Sequence, residues 1–219
     1  MGGKTFDVDV VIVGGGAAGV GAARSLSGEG LSVWLLEASQ RIGGRGWTQS
    51  VDGLPLDMGC GWLHTADRNA WRQIAEDLGW DIDRRPAAWD KHQPHPSFSE
   101  AEQAEAHAAF AAWHDALMGA PPTSDRASDA LPEGGRWNGY LQAMSGYISG
   151  APLERISAAD YIAYERAASQ NNWRLRRGYG TLIAANLPVD TVCRLATPVE
   201  RIDTNGTGVT IATPSGDLR

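Results

Sequence analysis

The chain has 219 residues, 19 of them basic and 26 acidic, for a formal charge of −7, and it is 42% hydrophobic and 21% charged. That profile excludes a disordered chain, which carries far fewer apolar residues, and the acidic surplus argues against nucleic acid as the main partner. No stretch reaches the roughly 18 apolar residues of a membrane span.

The N-terminus around Lys4 has no signal-peptide pattern. Cys60 and Cys193 lie 133 positions apart, which is neither a metal-ligand spacing nor a disulfide framework. Both features point to a reducing, cytoplasmic setting. Lys4 and Lys91 are the two lysines, and the other 17 basic residues are arginines.

Val8–Val13 is a short β-branched run that reads as a buried parallel strand. Gly14-Gly15-Gly16-Ala17-Ala18-Gly19 follows, and Val20–Leu26 reads as a helix. Gly28-Glu29-Gly30 breaks it, and Leu31–Leu36 is a second strand ending at Glu37. Strand, glycine turn, helix, strand and acid thus fall within about 30 residues, the layout of a dinucleotide-binding βαβ unit. Gly14 permits the tight turn, Gly16 lets a pyrophosphate approach the backbone, and Gly19 lets the helix pack close to the strands. The helix N-terminus near Ala17 offers unpaired N–H groups and a positive dipole end. Glu37, 23 residues after Gly14, suits a ribose hydroxyl pair and disfavours a 2′-phosphate, so an NADP-type ligand is not expected.

Glu37 does not separate NAD from FAD, because both carry the same ADP-ribose. The next loop, Arg41-Ile42-Gly43-Gly44-Arg45, leans to FAD. Its glycines allow close backbone approach, and the Arg45 guanidinium can meet a phosphate or the electron-rich end of a flavin. The plainer alternative for Arg45 is a surface charge.

Three stretches, Val11–Gly19, Leu36-Glu37-Ala38 and Arg41–Arg45, together resemble the flavin-containing amine oxidases, the group of monoamine, polyamine and L-amino-acid oxidases. Asp57-Met58-Gly59-Cys60-Gly61-Trp62-Leu63-His64 is similar to the family segment that runs beside the flavin ring. The resemblance implies an α/β fold with a Rossmann-like FAD-binding core and a mostly helical insertion forming part of a substrate domain. It implies FAD as cofactor, with contacts from Gly14, Gly16, Ala17, Ala18, Gly19, Glu37, Ala38, Gly44, Arg45, Met58, Gly59, Gly61 and Trp62. The chain departs from the family in two respects: Gly46 and Trp47 intervene before Thr48, and Ser39 stands where relatives often have a basic residue.

Beyond residue 65 the signal turns helical. Asn69–Leu78 has helical spacing and stops at Gly79. Ser99-Glu100-Ala101-Glu102 is a capping box opening a long alanine-rich helix to about Met118. Pro121 and Pro122 close it. Thr123–Gly135 reads as a polar loop and Arg136–Ser149 as another helix. Ser157-Ala158-Ala159-Asp160 is a second capping-box-like start, for a helix to about Ala168. The expected organisation is therefore 1–65 FAD-binding, 66–170 helical insertion and 171–219 return to the FAD-binding domain.

The histidines look ordinary. His107 and His114 share a helix face, and His92 and His95 lie in a loop, with no further ligands at metal spacing. His64 reads as a packing residue rather than a substrate contact.

Trp173–Leu182 holds Gly178 and Gly180. A strand bounded by those glycines is expected, then a helix from about Thr181 to Asn186, and the segment resembles the family's Gly-x-Gly-x-Leu region near the flavin. Arg174, Arg176 and Arg177 read as a solvated face. Thr197–Ile202 and Gly208–Thr213, joined by Asn205-Gly206, form a hairpin. In the resembled family such a strand borders the adenine through the backbone of a residue matching Val199.

Family members are about twice this length, more than one average domain, and often hold a lysine that reaches flavin N5 through water. Neither Lys4 nor Lys91 matches its place. The expectation is an N-terminal fragment or one part of a split enzyme, with a missing C-terminal half or a second copy in a homodimer as partner. The intact protein would oxidise a small-molecule amine by hydride transfer to the flavin, with oxygen as acceptor and Trp62 in the apolar wall. The alternatives are an FAD-binding module without turnover and, less favoured, an NAD-dependent dehydrogenase. Catalytic residues are not assigned, and no metal site is expected.

Overall fold

The computed structural model describes residues 6–87, 89, 97–206 and 208–219. They fall into two compact units, one running to Arg85 and resuming over Asn171–Arg219, the other spanning Pro86–Gln170. Residues 66–85, assigned from sequence to the insertion, thus group with the first unit.

The first unit begins with β1 (Val10–Val13), α1 (Ala17–Leu26) and β2 (Val33–Leu36). The strands pair in parallel from Val10↔Val33 to Val13↔Leu36. β1 starts two residues later than expected. Asp9 leaves the strand to accept hydrogen bonds from Ser32 N (2.8 Å) and Oγ (2.6 Å). α1 seats Val20 and Ala23 inward, and Ile12, Ala23, Val33 and Leu35 share one core. Each fully buried aliphatic side chain of this kind contributes roughly 1.5–3 kcal/mol relative to exposure.

A short hairpin follows, β3 (Thr48–Val51) and β4 (Leu54–Asp57), turning at Asp52-Gly53. Then come β5 (Trp62–Leu63), α2 (Ala70–Asp77) and β6 (Ile82–Asp83). Asn69 caps α2 by accepting from Trp71 N, and Gly79 stops it at φ +67°, as the sequence suggested.

The second unit is helical. α3 (Glu100–Gly119) opens on the expected capping box, with Ser99 and Glu102 each bonding the other's backbone. α4 (Asn138–Ser149) and α5 (Ala158–Ala167) pack with it around Trp113, Leu117, Leu141, Leu153 and Ala158. The loop expected over 123–135 contains a 3-10 turn at Ala127–Ala130. The Ala127 carbonyl at its start accepts the buried Trp113 indole N–H at 3.0 Å. Ser157 caps α5 by accepting from Asp160 N, but the return bond is absent. Asp125 instead receives the Ser157 hydroxyl (2.8 Å) and Ala159 N (2.8 Å).

The chain returns through β7 (Trp173–Leu175), α6 (Tyr179–Ala185), β8 (Val192–Arg194), β9 (Arg201–Asn205), β10 (Gly208–Thr213) and β11 (Gly216–Leu218). The strand expected between Gly178 and Gly180 lies earlier, at β7, and α6 already begins at Tyr179. The reason is that β7 is the centre of a sheet ordered β5-β7-β6, so its position is set by partners far away in sequence. β8 extends the parallel sheet to the order β1-β2-β8. The expected hairpin is β9–β10, and β11 adds a third antiparallel strand. A second core in this unit gathers Leu63, Ala66, Ala75, Trp80, Ile82, Leu175 and Leu182. No helix among the described residues is long and apolar enough to cross a membrane.

Candidate functional site

At the C-terminal end of β1 the chain turns at Gly14, whose N–H donates to Leu36 O at 2.8 Å and ties the turn to β2. Gly15 N donates to Glu37 Oε2 at 2.6 Å, and Gly15 O accepts from Gly43 N at 2.8 Å. Gly16 then caps α1 without any side-chain hydrogen bond, and the first turn carries no acid. The amides of Ala17 and Ala18 thus form an uncapped, positively polarised helix end.

Two of the expected glycine roles are visible as distances. A Cβ on Gly19 would lie 1.9 Å from Gly14 O, so α1 can approach the turn only with glycine there. Gly44, at φ +57°, would place a Cβ 3.0 Å from Gly16 Cα. A Cβ on Gly16 itself would meet only Gly44 Cα, at 3.8 Å, and one on Gly14 would meet nothing within 4 Å. Among the described residues, no side chain comes within 4 Å of a Cβ at either position.

Glu37 is half-buried at the end of β2. Burial raises its pKa, but the N–H groups of Ser39 (2.8 Å) and Gly15 (2.6 Å) and the charge of Arg41 outweigh burial and hold it below the ordinary glutamate value. Each carboxylate oxygen receives one backbone N–H, which leaves lone pairs for a further donor. The segment after β8 runs beside it: Glu37 N donates to Arg194 O, Thr197 N to Glu37 O and Ala196 N to Ser39 O, at 2.8–2.9 Å. Ala38 is exposed between these ties, and Val199 lies two residues beyond Thr197, half-buried.

Arg45 is exposed, and the loop is organised instead by Arg41. The Arg41 guanidinium donates to Gly44 O (2.8 Å) and Gly46 O (3.3 Å) and stacks 5.1 Å over Trp47. The signal for it was present, since a glycine loop leaves carbonyls that a planar fork can collect.

The stretch 58–61 runs back along this loop. Met58 N bonds Trp47 O at 2.7 Å and Cys60 N bonds Arg45 O at 3.0 Å. A Cβ on Gly59 would strike Arg45 O at 2.0 Å, and one on Gly61 would lie 2.8 Å from Asp57 Cβ. Asp57, which sequence reasoning left without a role, joins distant segments. It accepts the Thr48 hydroxyl at 2.5 Å and Tyr179 N at 2.9 Å, so it caps α6 and locks the hairpin to it. Burial pushes the Tyr179 phenol up to about 12, with a smaller electrostatic contribution from Cys60.

Trp62 is half-buried in β5, with the Arg174 guanidinium 4.8 Å over its ring. The arginine trio is not a plain solvated face. Arg174 also reaches Asp83 (3.3 Å), Arg176 pairs with Asp81 (2.7 Å), and Arg177 lies 4.1 Å over Trp80. His64 bonds Asn172 at 2.8 Å, and His114 bonds the Tyr161 hydroxyl at 2.9 Å. His92 and His95, like Lys4 and Lys91, lie outside the described residues.

The geometry gathers Gly14–Gly16, the α1 amides, Glu37, Gly43-Gly44 and the segment 194–197 into one crevice at the carboxyl ends of parallel strands. That defines a dinucleotide-binding α/β protein. Residues 17–98 match the family model of the flavin containing amine oxidoreductases. The cofactor that goes with it is FAD, and the glycines, the uncapped helix end and Glu37 fit such a group.

The chain is similar to pseudooxynicotine dehydrogenase of a Pseudomonas species, 44% identical over 71 residues, which are 32% of this chain and 14% of that protein. It is similar to putrescine oxidase of Kocuria rosea, 42% identical over 77 residues, 35% of this chain and 16% of the relative. Among solved structures, a putrescine oxidase bound to putrescine superimposes with TM-score 0.65 at 21% identity, covering 95% of this chain and 55% of that one. Cyclohexylamine oxidase from Brevibacterium oxydans IH-35A superimposes with TM-score 0.66 at 21% identity, covering 97% and 56%. These likenesses show a shared fold, and the chain spans about half the length of the proteins that share it.

Proposed function

We propose that these 219 residues supply the FAD-binding half of an enzyme that oxidises a small amine at the carbon bearing nitrogen. The observation that carries the reading is the crevice in which an uncapped helix end, a glycine pair and a backbone-held glutamate converge, within a segment matching flavin-containing amine oxidoreductases. The amides of Gly16, Ala17 and Ala18 would receive the diphosphate, with Gly14 and Gly19 letting turn and helix meet there. Glu37, held ionised by its two backbone donors, would bind the ribose hydroxyls, with Ala38 beside it. Gly44 and Arg45 would flank the phosphates or flavin, Met58, Gly59, Gly61 and Trp62 would border the ring, and the Val199 backbone would meet the adenine. When bound, FAD supplies the two-electron acceptor, while the protein supplies position and field. Oxygen is the proposed final acceptor. The related putrescine, polyamine and nicotine enzymes support an amine as the substrate class.

A second reading is an FAD-binding module that turns over only with a further polypeptide. It is favoured by β1 standing at the edge of its sheet among the described residues, with Val13 49% exposed, in a chain spanning 55% of its structural relative. Purified chain, loaded with FAD and offered an amine panel, separates the two. Bound flavin with peroxide release supports turnover by this chain; bound flavin without peroxide supports the module. Absence of any flavin binding contradicts both.

A further inference from the structure

The helical unit contains a small pocket of its own. It has a volume of about 50 Å³ and opens between α3, α4 and α5. Trp113, Leu141 and Leu153, all buried, line it, and Tyr161 and Glu165 stand on its α5 side, one helical turn apart. The Tyr161 ring is fixed. It meets Trp113 edge-on at 5.2 Å between centroids, and its hydroxyl is engaged by His114.

Glu165 is half-buried, and among the described residues no hydrogen bond or ion pair reaches its carboxylate. Its neighbour Arg166 is exposed and does not pair with it. Burial, and then the charge of Glu165, raise the Tyr161 pKa, so the carboxylate lies within electrostatic range of the phenol that lines the pocket. An apolar, aromatic hollow with one unpaired anion at its edge complements an amphipathic cation. The carbon part leaves water against the aromatic floor, and the ammonium group supplies the missing charge. An anion would meet repulsion, and a neutral molecule would leave the carboxylate unpaired. A water-sized group needs about 10–15 Å³, so the pocket accepts roughly three to five such groups.

We propose that this pocket binds a small branched alkylammonium ion, with its alkyl end among Trp113, Leu141 and Leu153 and its ammonium group on Glu165.

The test is calorimetric titration of the full chain with isobutylammonium chloride and, separately, with isobutanol, its neutral counterpart. The Glu165→Gln variant removes the charge. Ser149→Phe, at an exposed position on the pocket rim, fills the mouth without touching Glu165. Saturable one-to-one binding of the ammonium ion is expected. Isobutanol and Glu165→Gln should each weaken binding about tenfold or more, the scale of one lost charge-assisted hydrogen bond, and Ser149→Phe should abolish it. No saturable binding by folded wild-type chain overturns the proposal. So does equal binding of ammonium and alcohol, or undiminished binding by both variants. An FAD titration on the same samples reports separately on the crevice, so failure of one site is distinguishable from failure of the other.

Discussion

Two glycines in one helix should respond to the same substitution with opposite sign. A Cβ at Gly19 would stand 1.9 Å from a backbone carbonyl oxygen, whereas one at Gly21 would meet nothing within 4 Å. A carbon–oxygen contact tolerates about 3.3 Å, so Gly19→Ala forces α1 to retreat by roughly 1.4 Å from the Gly14 turn. The helix cannot move alone, because Val20 and Ala23 are fully buried against the sheet. Overpacking of this kind costs about 1–3 kcal/mol, and the backbone collision puts it near the upper end. The gain in helix propensity on replacing glycine offsets about 1 kcal/mol of that. Gly19→Ala should therefore lose about 2 kcal/mol, while Gly21→Ala should gain about 1 kcal/mol from the same propensity. At roughly 2–4 °C per kcal/mol for a chain of this size, the two variants should melt about 6–12 °C apart. Thermal and urea unfolding read this directly. The retreat also pulls the helix amides from the crevice, so Gly19→Ala should weaken FAD binding at least about tenfold, whereas Gly21→Ala should leave it unchanged. Equal melting temperatures, or a Gly21→Ala variant as impaired as Gly19→Ala, would refute the close-approach argument.

Other consequences are checked as simply. Asp57→Ala leaves Tyr179 N and the Thr48 hydroxyl without their shared acceptor, and urea unfolding should show a loss of about 1–3 kcal/mol. Trp113→Phe keeps most of the ring's burial but removes the indole donor to the Ala127 carbonyl in the helical unit, at a cost of about 0.5–1.5 kcal/mol. Asp83 contributes to acid sensitivity: hydrogen bonds from Arg85 outweigh burial and, with the charge of Arg174, hold its pKa far below the ordinary 3.8. A carboxylate depressed by folding contributes stability that is complete above its unfolded value and lost as pH falls through the folded one. Wild-type stability should therefore decline below about pH 4 more steeply than that of Asp83→Asn, read by urea midpoints from pH 5 to pH 2.

The βαβ unit was legible because every device in it is local. A β-branched strand, a glycine turn, a small-residue helix and an acid at the next strand end follow one another without interruption. The capping box of α3 was legible for the same reason, since Ser99 and Glu102 are three residues apart. What stayed hidden was decided across the chain. β5, β6, β7 and β8 have two or three residues each, and pairing rather than periodicity sets their places. Asp57 caps a helix 122 positions away, and no spacing rule reaches that far. The arginine trio looked solvated because its partners, Asp81, Asp83, Trp62 and Trp80, come together only when β7 enters its sheet. Arg41 and Arg45 were indistinguishable as residue types. Their roles separate only when the loop curls and presents the carbonyls of Gly44 and Gly46 to the first of them.

The claim that the α1 amides and Glu37 receive the ADP-ribose half of FAD is tested most directly by competition. FAD bound to the wild-type chain is challenged with ADP and with 2′,5′-ADP, followed by flavin fluorescence. ADP should displace the flavin and 2′,5′-ADP should not, and Glu37→Ala should erase the discrimination. Equal displacement by both nucleotides, or discrimination that survives Glu37→Ala, would contradict the account.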